Sequence, residues 1–213
     1  MKKISIVDYG LGNLFSVYQA LEYCDSNAYK IQITSCQKKI KESDYLILPG
    51  VGAFKNAMHE IENKHLIESI KDFANTGKPL LGICLGMQIF ASISEEFGSH
   101  VGLDLISGRV SHIGENNLDG SIRKVPSIGW KNIKLSGSLA DKSVLANHDE
   151  SSVYFVHSYH FITSKSEHTI ATYEHGDSKI TAAVQMGNIL GCQFHPEKSG
   201  SNGLEIINKF LRL

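Results

Sequence analysis

Residues 80–90 read Leu80-Leu81-Gly82-Ile83-Cys84-Leu85-Gly86-Met87-Gln88-Ile89-Phe90. Leu80–Cys84 is a short apolar run with the character of a buried strand, and Gly77 and Pro79 end the helical pattern before it. A helix-like stretch follows Gly86. Cys84 therefore stands between two glycines at a strand-to-helix turn, the cysteine counterpart of the G-x-S-x-G nucleophile elbow. Gly82 and Gly86 remove side chains that would clash in so tight a turn. The helix N-terminus beneath the sulfur favours thiolate over thiol, and the Leu85 N–H is placed to help stabilise an oxyanion. Alone, the pattern also fits a packed strand end.

On the N-terminal side, Ile4–Val7, Ile31–Thr34 and Tyr45–Leu48 read as further strands. A helix carrying Val17, Ala20 and Leu21 follows the first. After the third, Phe54, Ala57, Met58, Ile61, Leu66, Ile70 and Phe73 approximate one helix face. Strands alternating with helices predict parallel βαβ units and a sheet covered on both faces. On the C-terminal side, residues 98–150 suggest hairpins and loops. Four more strands are expected at Val153–His157, Thr169–Tyr173, Ile180–Gln185 and Ile189–Phe194, then a helix over Asn202–Leu211. The expectation is one α/β domain over residues 1–213, parallel in its first half and more antiparallel in its second.

Composition narrows the function classes. With 213 residues, 42% hydrophobic and 20% charged, the chain matches an ordinary globular domain. A formal net charge of -1 gives no global attraction to nucleic acid or acidic membranes. The run Lys38, Lys39, Lys41 reads as a solvated loop. No signal peptide or membrane span is legible, so the cytoplasm is the expected compartment. The cysteines Cys24, Cys36, Cys84 and Cys192 lack the pairing of a zinc or redox site. Cys192, inside ILGCQF, reads as a small buried hydrophobe.

The elbow gains meaning from GCQFHPEKSG, residues 191–200. An apolar strand delivers His195, Pro196 stops it, and Glu197 follows. A thiol nucleophile needs a base near its working pH, and an imidazole suits. The imidazole needs a carboxylate to fix its tautomer and stabilise its cation. Cys84, His195 and Glu197 are thus the candidate catalytic residues, able to meet where strand C-termini line the crevice of an open α/β sheet. In LPGVGAF, the segment Gly50-Val51-Gly52 lets backbone N–H groups turn toward a ligand, a second candidate oxyanion donor.

The G-x-C-x-G elbow, the distant His-Pro-Glu and the Pro-Gly-x-Gly loop together resemble the triad class of glutamine amidotransferases. More narrowly, the chain is similar to the glutaminase subunits of imidazole glycerol phosphate synthases of histidine biosynthesis. The matching segments run in order over nearly the whole chain: DYGLGNLFSV (8–17), LPGVGAF, GICLGMQ, Gly129-Trp130, YFVHSY (154–159) and GCQFHPEKS. That resemblance implies a flavodoxin-like doubly wound fold and glutamine hydrolysis without metal or organic cofactor. It also implies a heterodimer with a (β/α)8-barrel cyclase that makes imidazole glycerol phosphate and AICAR. Gln88 and Glu96 would hold the amino-acid head group of glutamine, with backbone contacts from His157, Ser158 and Tyr159. Asn13, Trp130, Tyr154 and Lys198 would face the partner. Charge logic agrees for Glu96, placed on the helix after the elbow as a counter-charge to the α-ammonium.

The segment Pro126–Lys131 departs from the family pattern, which has His-Met before Gly-Trp and Asn after it. An alternative partner is therefore a synthase that amidates surface sugars. A catalytically silent binding subunit on the same fold is a third reading, opposed by the complete set of reactive residues. Dinucleotide binding at Gly10-x-Gly12 fails because Phe15 stands at the third glycine position. A metal held by His157 and His160 fails because residues three apart on one strand face opposite ways.

Overall fold

The apolar runs of the first half form strands β1 Lys2–Val7, β2 Tyr29–Thr34, β3 Tyr45–Gly50 and β4 Leu80–Cys84. The structure is a computed structural model and describes residues 1–25, 28–137 and 139–213. Between these strands lie helices α1 Leu14–Asp25, α2 Gln37–Lys41, α3 Phe54–Asn63 and α4 Ile67–Asn75. A single turn, α5 Leu85–Gln88, follows β4. Short strands β5 Ile93–Ser94, β6 His100–Val101, β7 Gly108–His112, β8 Ser127–Asn132 and β9 Lys134–Leu135 occupy the middle of the chain. Strands β10 Ser152–His157, β11 Tyr159–Thr163, β12 Thr169–His175, β13 Ser178–Met186 and β14 Ile189–Cys192 precede the final helix α6 Gly200–Phe210.

Eight strands make the main sheet, in the order β2-β1-β3-β4-β14-β13-β12-β9. The five strands from β2 to β14 are parallel, and the remainder are antiparallel. The parallel strands need cover on both faces, and they receive it. Along β3, Tyr45 and Ile47 pack on the face covered by Val17 and Leu21 of α1 and Ile207 and Phe210 of α6. Leu46 and Leu48 pack on the other, against Phe54 and Ile61 of α3 and Ile70 and Phe73 of α4. Two smaller sheets, β10-β8 and β11-β7-β5-β6, stand beside the main one.

The single helix face expected over Phe54–Phe73 is two helices. His65 adopts φ +55°, and the Leu66 N–H returns to the Ile61 carbonyl at 2.9 Å, ending α3 before α4 starts. The five-residue step from Ile61 to Leu66 departs from helical period and marks the break. Strand β14 is shorter than expected, so Gln193 and Phe194 bend between its end and His195.

Candidate active site

Cys84 closes β4 with φ 54° and ψ -111°, a conformation few non-glycine residues adopt outside functional turns. Its flanking glycines are required by space. A Cβ on Gly82 would stand 2.6 Å from the Phe90 ring and 2.7 Å from the Gly86 carbonyl oxygen. On Gly86 it would stand 1.7 Å from the Leu48 carbonyl oxygen of β3. The elbow is therefore seated on the neighbouring strand. The helix beyond it is one turn long, so the dipole support expected for the sulfur is limited to the few N–H groups of that turn.

Pairing of β14 with β4 places Cys192 beside Ile83, which brings the C-terminal ends of the two strands together although they are over a hundred residues apart in sequence. Beyond that point the backbone of His195 is fixed from both sides. Its N–H donates to the Tyr154 carbonyl at 3.0 Å, and the Ser199 hydroxyl donates to its carbonyl at 2.7 Å. Pro196 starts a 3-10 turn, Pro196–Lys198, that folds Glu197 back under the ring. His195 Nδ1 lies 2.8 Å from Glu197 Oε1, with both side chains almost fully buried. The acceptor-only carboxylate assigns the proton to Nδ1 and leaves Nε2 toward Cys84, short of a full hydrogen bond among the described residues. Burial opposes the charged ring, but hydrogen bonding and charge from Cys84 and Glu197 outweigh it and raise His195 to about 10. The ring is thus poised to hold a proton beside the Cys84 sulfur.

Cys84 and His195 line a cavity of about 330 Å³. The sequence-predicted residues Val51, Gly52 and Leu85 border it, as do Gln88, Glu96, His157, Ser158 and Tyr159. Phe97 and Val156 also line it, and neither was singled out in the sequence. Gly50 lies behind the wall, paired in register with Cys84. Val51 and Gly52 form the rim. Gly52 has φ +100° and open space around its Cα, so backbone freedom rather than room accounts for this glycine. Tyr9, fully buried, donates its hydroxyl to the Pro49 carbonyl at 2.5 Å and props the base of this loop.

Glu96 is not on a helix after the elbow; it lies in the turn following β5. Adjacent Glu95 is the solvated member of the pair, half exposed beside Arg109. Glu96 is 8% exposed, and its Oε2 accepts the Phe54 N–H at the start of α3 at 2.6 Å. Among the described residues no cationic side chain pairs with it, so the cavity wall carries an uncompensated carboxylate. Gln88 donates to the Tyr159 carbonyl at 2.8 Å and to Gln193 Oε1 at 3.0 Å. His157 is buried and held near pKa 3, mainly by desolvation, so it is neutral. His157 and His160 fall on consecutive strands rather than one, and no metal-binding cluster occurs among the described residues.

Of the residues expected to face a partner, Trp130 and Tyr154 meet on a strand pair whose Val156 lines the cavity. In the β8–β10 pair, Trp130 opposes Tyr154 and Ile128 opposes Val156. Trp130 and Ile128 are more than half exposed, and the Trp130 and Tyr154 rings meet edge-on at 6.0 Å. Lys198 is exposed on the turn that carries Glu197. Asn13 is exposed, and its side chain accepts the Ser16 N–H at the start of α1. The segment Pro126–Lys131 that departs from the family pattern runs into β8, the strand that carries Trp130.

The family model "Glutamine amidotransferase class-I" matches residues 5–213. Among curated proteins, imidazole glycerol phosphate synthase subunit HisH 1 of Legionella pneumophila strain Paris is 44% identical, covering 100% of both chains. Subunit HisH of Geobacillus sp. is 42% identical over 97% of this chain and 95% of its own. Among solved structures, PurLQS from Thermotoga maritima superposes with a TM-score of 0.73 at 19% identity, covering 99% of this chain and 98% of that one. A structure described as a glutamine amidotransferase gives 0.71 at 16% identity, covering 98% and 97%.

Proposed function

The chain belongs to the class-I glutamine amidotransferases, and from that premise we propose that it is the glutaminase subunit of an imidazole glycerol phosphate synthase. The observation that carries the chemistry is the buried His195–Glu197 pair at 2.8 Å, with Nε2 left toward Cys84 in the cavity they share. The Cys84 thiolate attacks the side-chain amide carbon of glutamine. The Leu85 N–H and the Gly50–Gly52 loop receive the oxyanion. His195 protonates the departing nitrogen, which leaves as ammonia, and a glutamyl thioester remains. Water, deprotonated by His195, then hydrolyses the thioester to glutamate and returns the thiolate. Glu197 fixes the ring throughout. Glu96 supplies the counter-charge for the α-ammonium, supported by its burial without a cationic partner.

Ammonia released into neutral water is mostly ammonium and no longer nucleophilic, so direct transfer to a synthase makes chemical sense. The relatives named above carry the synthase's name over their full length, which favours this acceptor over a sugar-amidating one. The partner is a (β/α)8-barrel cyclase docked on the apolar face of Ile128, Trp130 and Tyr154, and it also contacts Asn13 and Lys198. Chain and partner act in the cytoplasm, and no helix among the described residues is long and apolar enough to cross a membrane. Residues 1–213 work as one domain, a poor glutaminase alone and activated by the liganded partner through the Gly50–Gly52 loop.

Cys84→Ala tests this reading in the assembled synthase. Glutamine-dependent synthesis should vanish while synthesis from added ammonium salts persists. Loss of both activities with the complex intact, or retention of both, would overturn it.

A further inference from the structure

The donor and acceptor ends of a buried glutamine are ordinarily interchangeable, but here one backbone carbonyl fixes two of them. The Tyr159 carbonyl accepts from Gln88 Nε2 at 2.8 Å and from His157 Nδ1 at 2.8 Å. A carbonyl only accepts, so Gln88 must present its NH2 group there. The second proton of that NH2 points to Gln193 at 3.0 Å, so the atom of Gln193 facing Gln88 must be Oε1. The other end of Gln193 is then its NH2, and it lies 3.7 Å from Cys84 Sγ. Gln193 is fully buried, so this polarity cannot be exchanged for contacts with water.

We propose that Gln193 is a positioning residue for the nucleophile, donating a side-chain N–H to Cys84 Sγ while Gln88 ties it to the Tyr159 carbonyl at the glutamine pocket. The inference rests on the reading of Cys84 as the nucleophile. Besides the His195 ring, the sulfur meets the Val156 carbonyl at 4.0 Å, to which a thiol proton would be donated. On ionisation that contact loses its proton, whereas the Gln193 N–H gains a charged acceptor and strengthens. The chain of amides thus favours the reactive form of the sulfur. It also aligns the sulfur with the strand turn His157–Tyr159 that lines the cavity.

The test uses the full chain and iodoacetamide, with mass spectrometry reporting alkylation of Cys84 relative to exposed Cys36. Gln193→Met removes the donor at similar length. Gln193→Glu keeps an acceptor for Gln88 and removes the donor to sulfur. In both, the Cys84-to-Cys36 ratio should fall about tenfold or more, the scale of one hydrogen bond to a charged group. In the assembled synthase kcat should fall by a similar factor, and the KM for glutamine should stay within about twofold in Gln193→Glu. An unchanged ratio in a natively folded variant, or a change confined to KM and melting temperature, would overturn the proposal. Should both variants unfold, NMR of the Gln193 side-chain amide decides the matter. One proton should move upfield in Cys84→Ala relative to wild type, and no movement would overturn the proposal. If Cys84→Ala itself retains glutamine-dependent synthesis, the nucleophile assignment falls, while the alkylation ratio still reports on the Gln193 contact.

Discussion

Gly86→Ala is a one-carbon change whose consequence follows from the packing of the elbow. The new Cβ would lie 1.7 Å from the Leu48 carbonyl oxygen, where real Cβ atoms essentially never approach within 3.0 Å. The shortfall is at least 3.0 − 1.7 = 1.3 Å. Leu48 lies in β3, hydrogen-bonded to β1 on one side and β4 on the other, and has little freedom to yield. The α5 turn must move instead, carrying Leu85 and Cys84 away from His195. Displacing a reacting group by about 1 Å costs on the order of 10² in rate. Overpacking of this kind costs about 1–3 kcal/mol, which for a chain of this size lowers the melting temperature by about 2–12 °C. Thermal melting and glutamine turnover in the assembled synthase would be measured together. Unchanged turnover with a melting temperature within about 2 °C of wild type would refute the argument that the elbow is seated on β3.

Glu197→Gln removes one of the two groups that raise His195. A raised folded-state value contributes stability that is complete below the unfolded value and is lost as pH rises toward about 10. The melting gap between wild type and variant should therefore be widest near pH 6 and close with rising pH, and a gap that widens toward alkaline pH would contradict it. Tyr9→Phe leaves the buried Pro49 carbonyl without its partner; a loss of about 1–3 kcal/mol should appear in denaturant unfolding, and an unchanged midpoint would remove Tyr9 as the prop of the loop. Trp130→Ala should leave melting of the isolated chain nearly unchanged, because the ring is 54% exposed. It should weaken partner binding by about 2 kcal/mol or more; calorimetric titration with the partner checks both halves.

Strands β1 and β3 were legible because each is a short apolar run closed by a charge or by proline and glycine, and β2 by its alternation of Ile31 and Ile33 with polar residues. The Cys84 elbow and His195–Glu197 were legible because their chemistry needs fixed local spacing. Residues 98–150 were not, since their strands pair over distance: β8 joins β10 across about twenty residues, and β5 joins β7 in parallel. Glu95 and Glu96 look alike in sequence, and only the turn after β5 sends one to solvent and the other to the cavity wall. Gln193 left one trace, a polar residue inside the apolar run ILGCQF. Its meaning depends on Gln88 and Tyr159, which no local pattern connects to it.

The insertion of β14 between β4 and β13 has a consequence for how the molecule is made. A ribosome that has released the first hundred residues has delivered β2, β1, β3 and β4, a sheet whose open border is the apolar Leu80–Cys84. Unpaired borders of this kind recruit other chains, so the nascent protein is most exposed to aggregation during the long synthesis of its middle. Only when residues 189–192 arrive is that border sealed, and the same event brings the imidazole to the thiol. Sealing the sheet and bringing His195 to Cys84 are thus one late step.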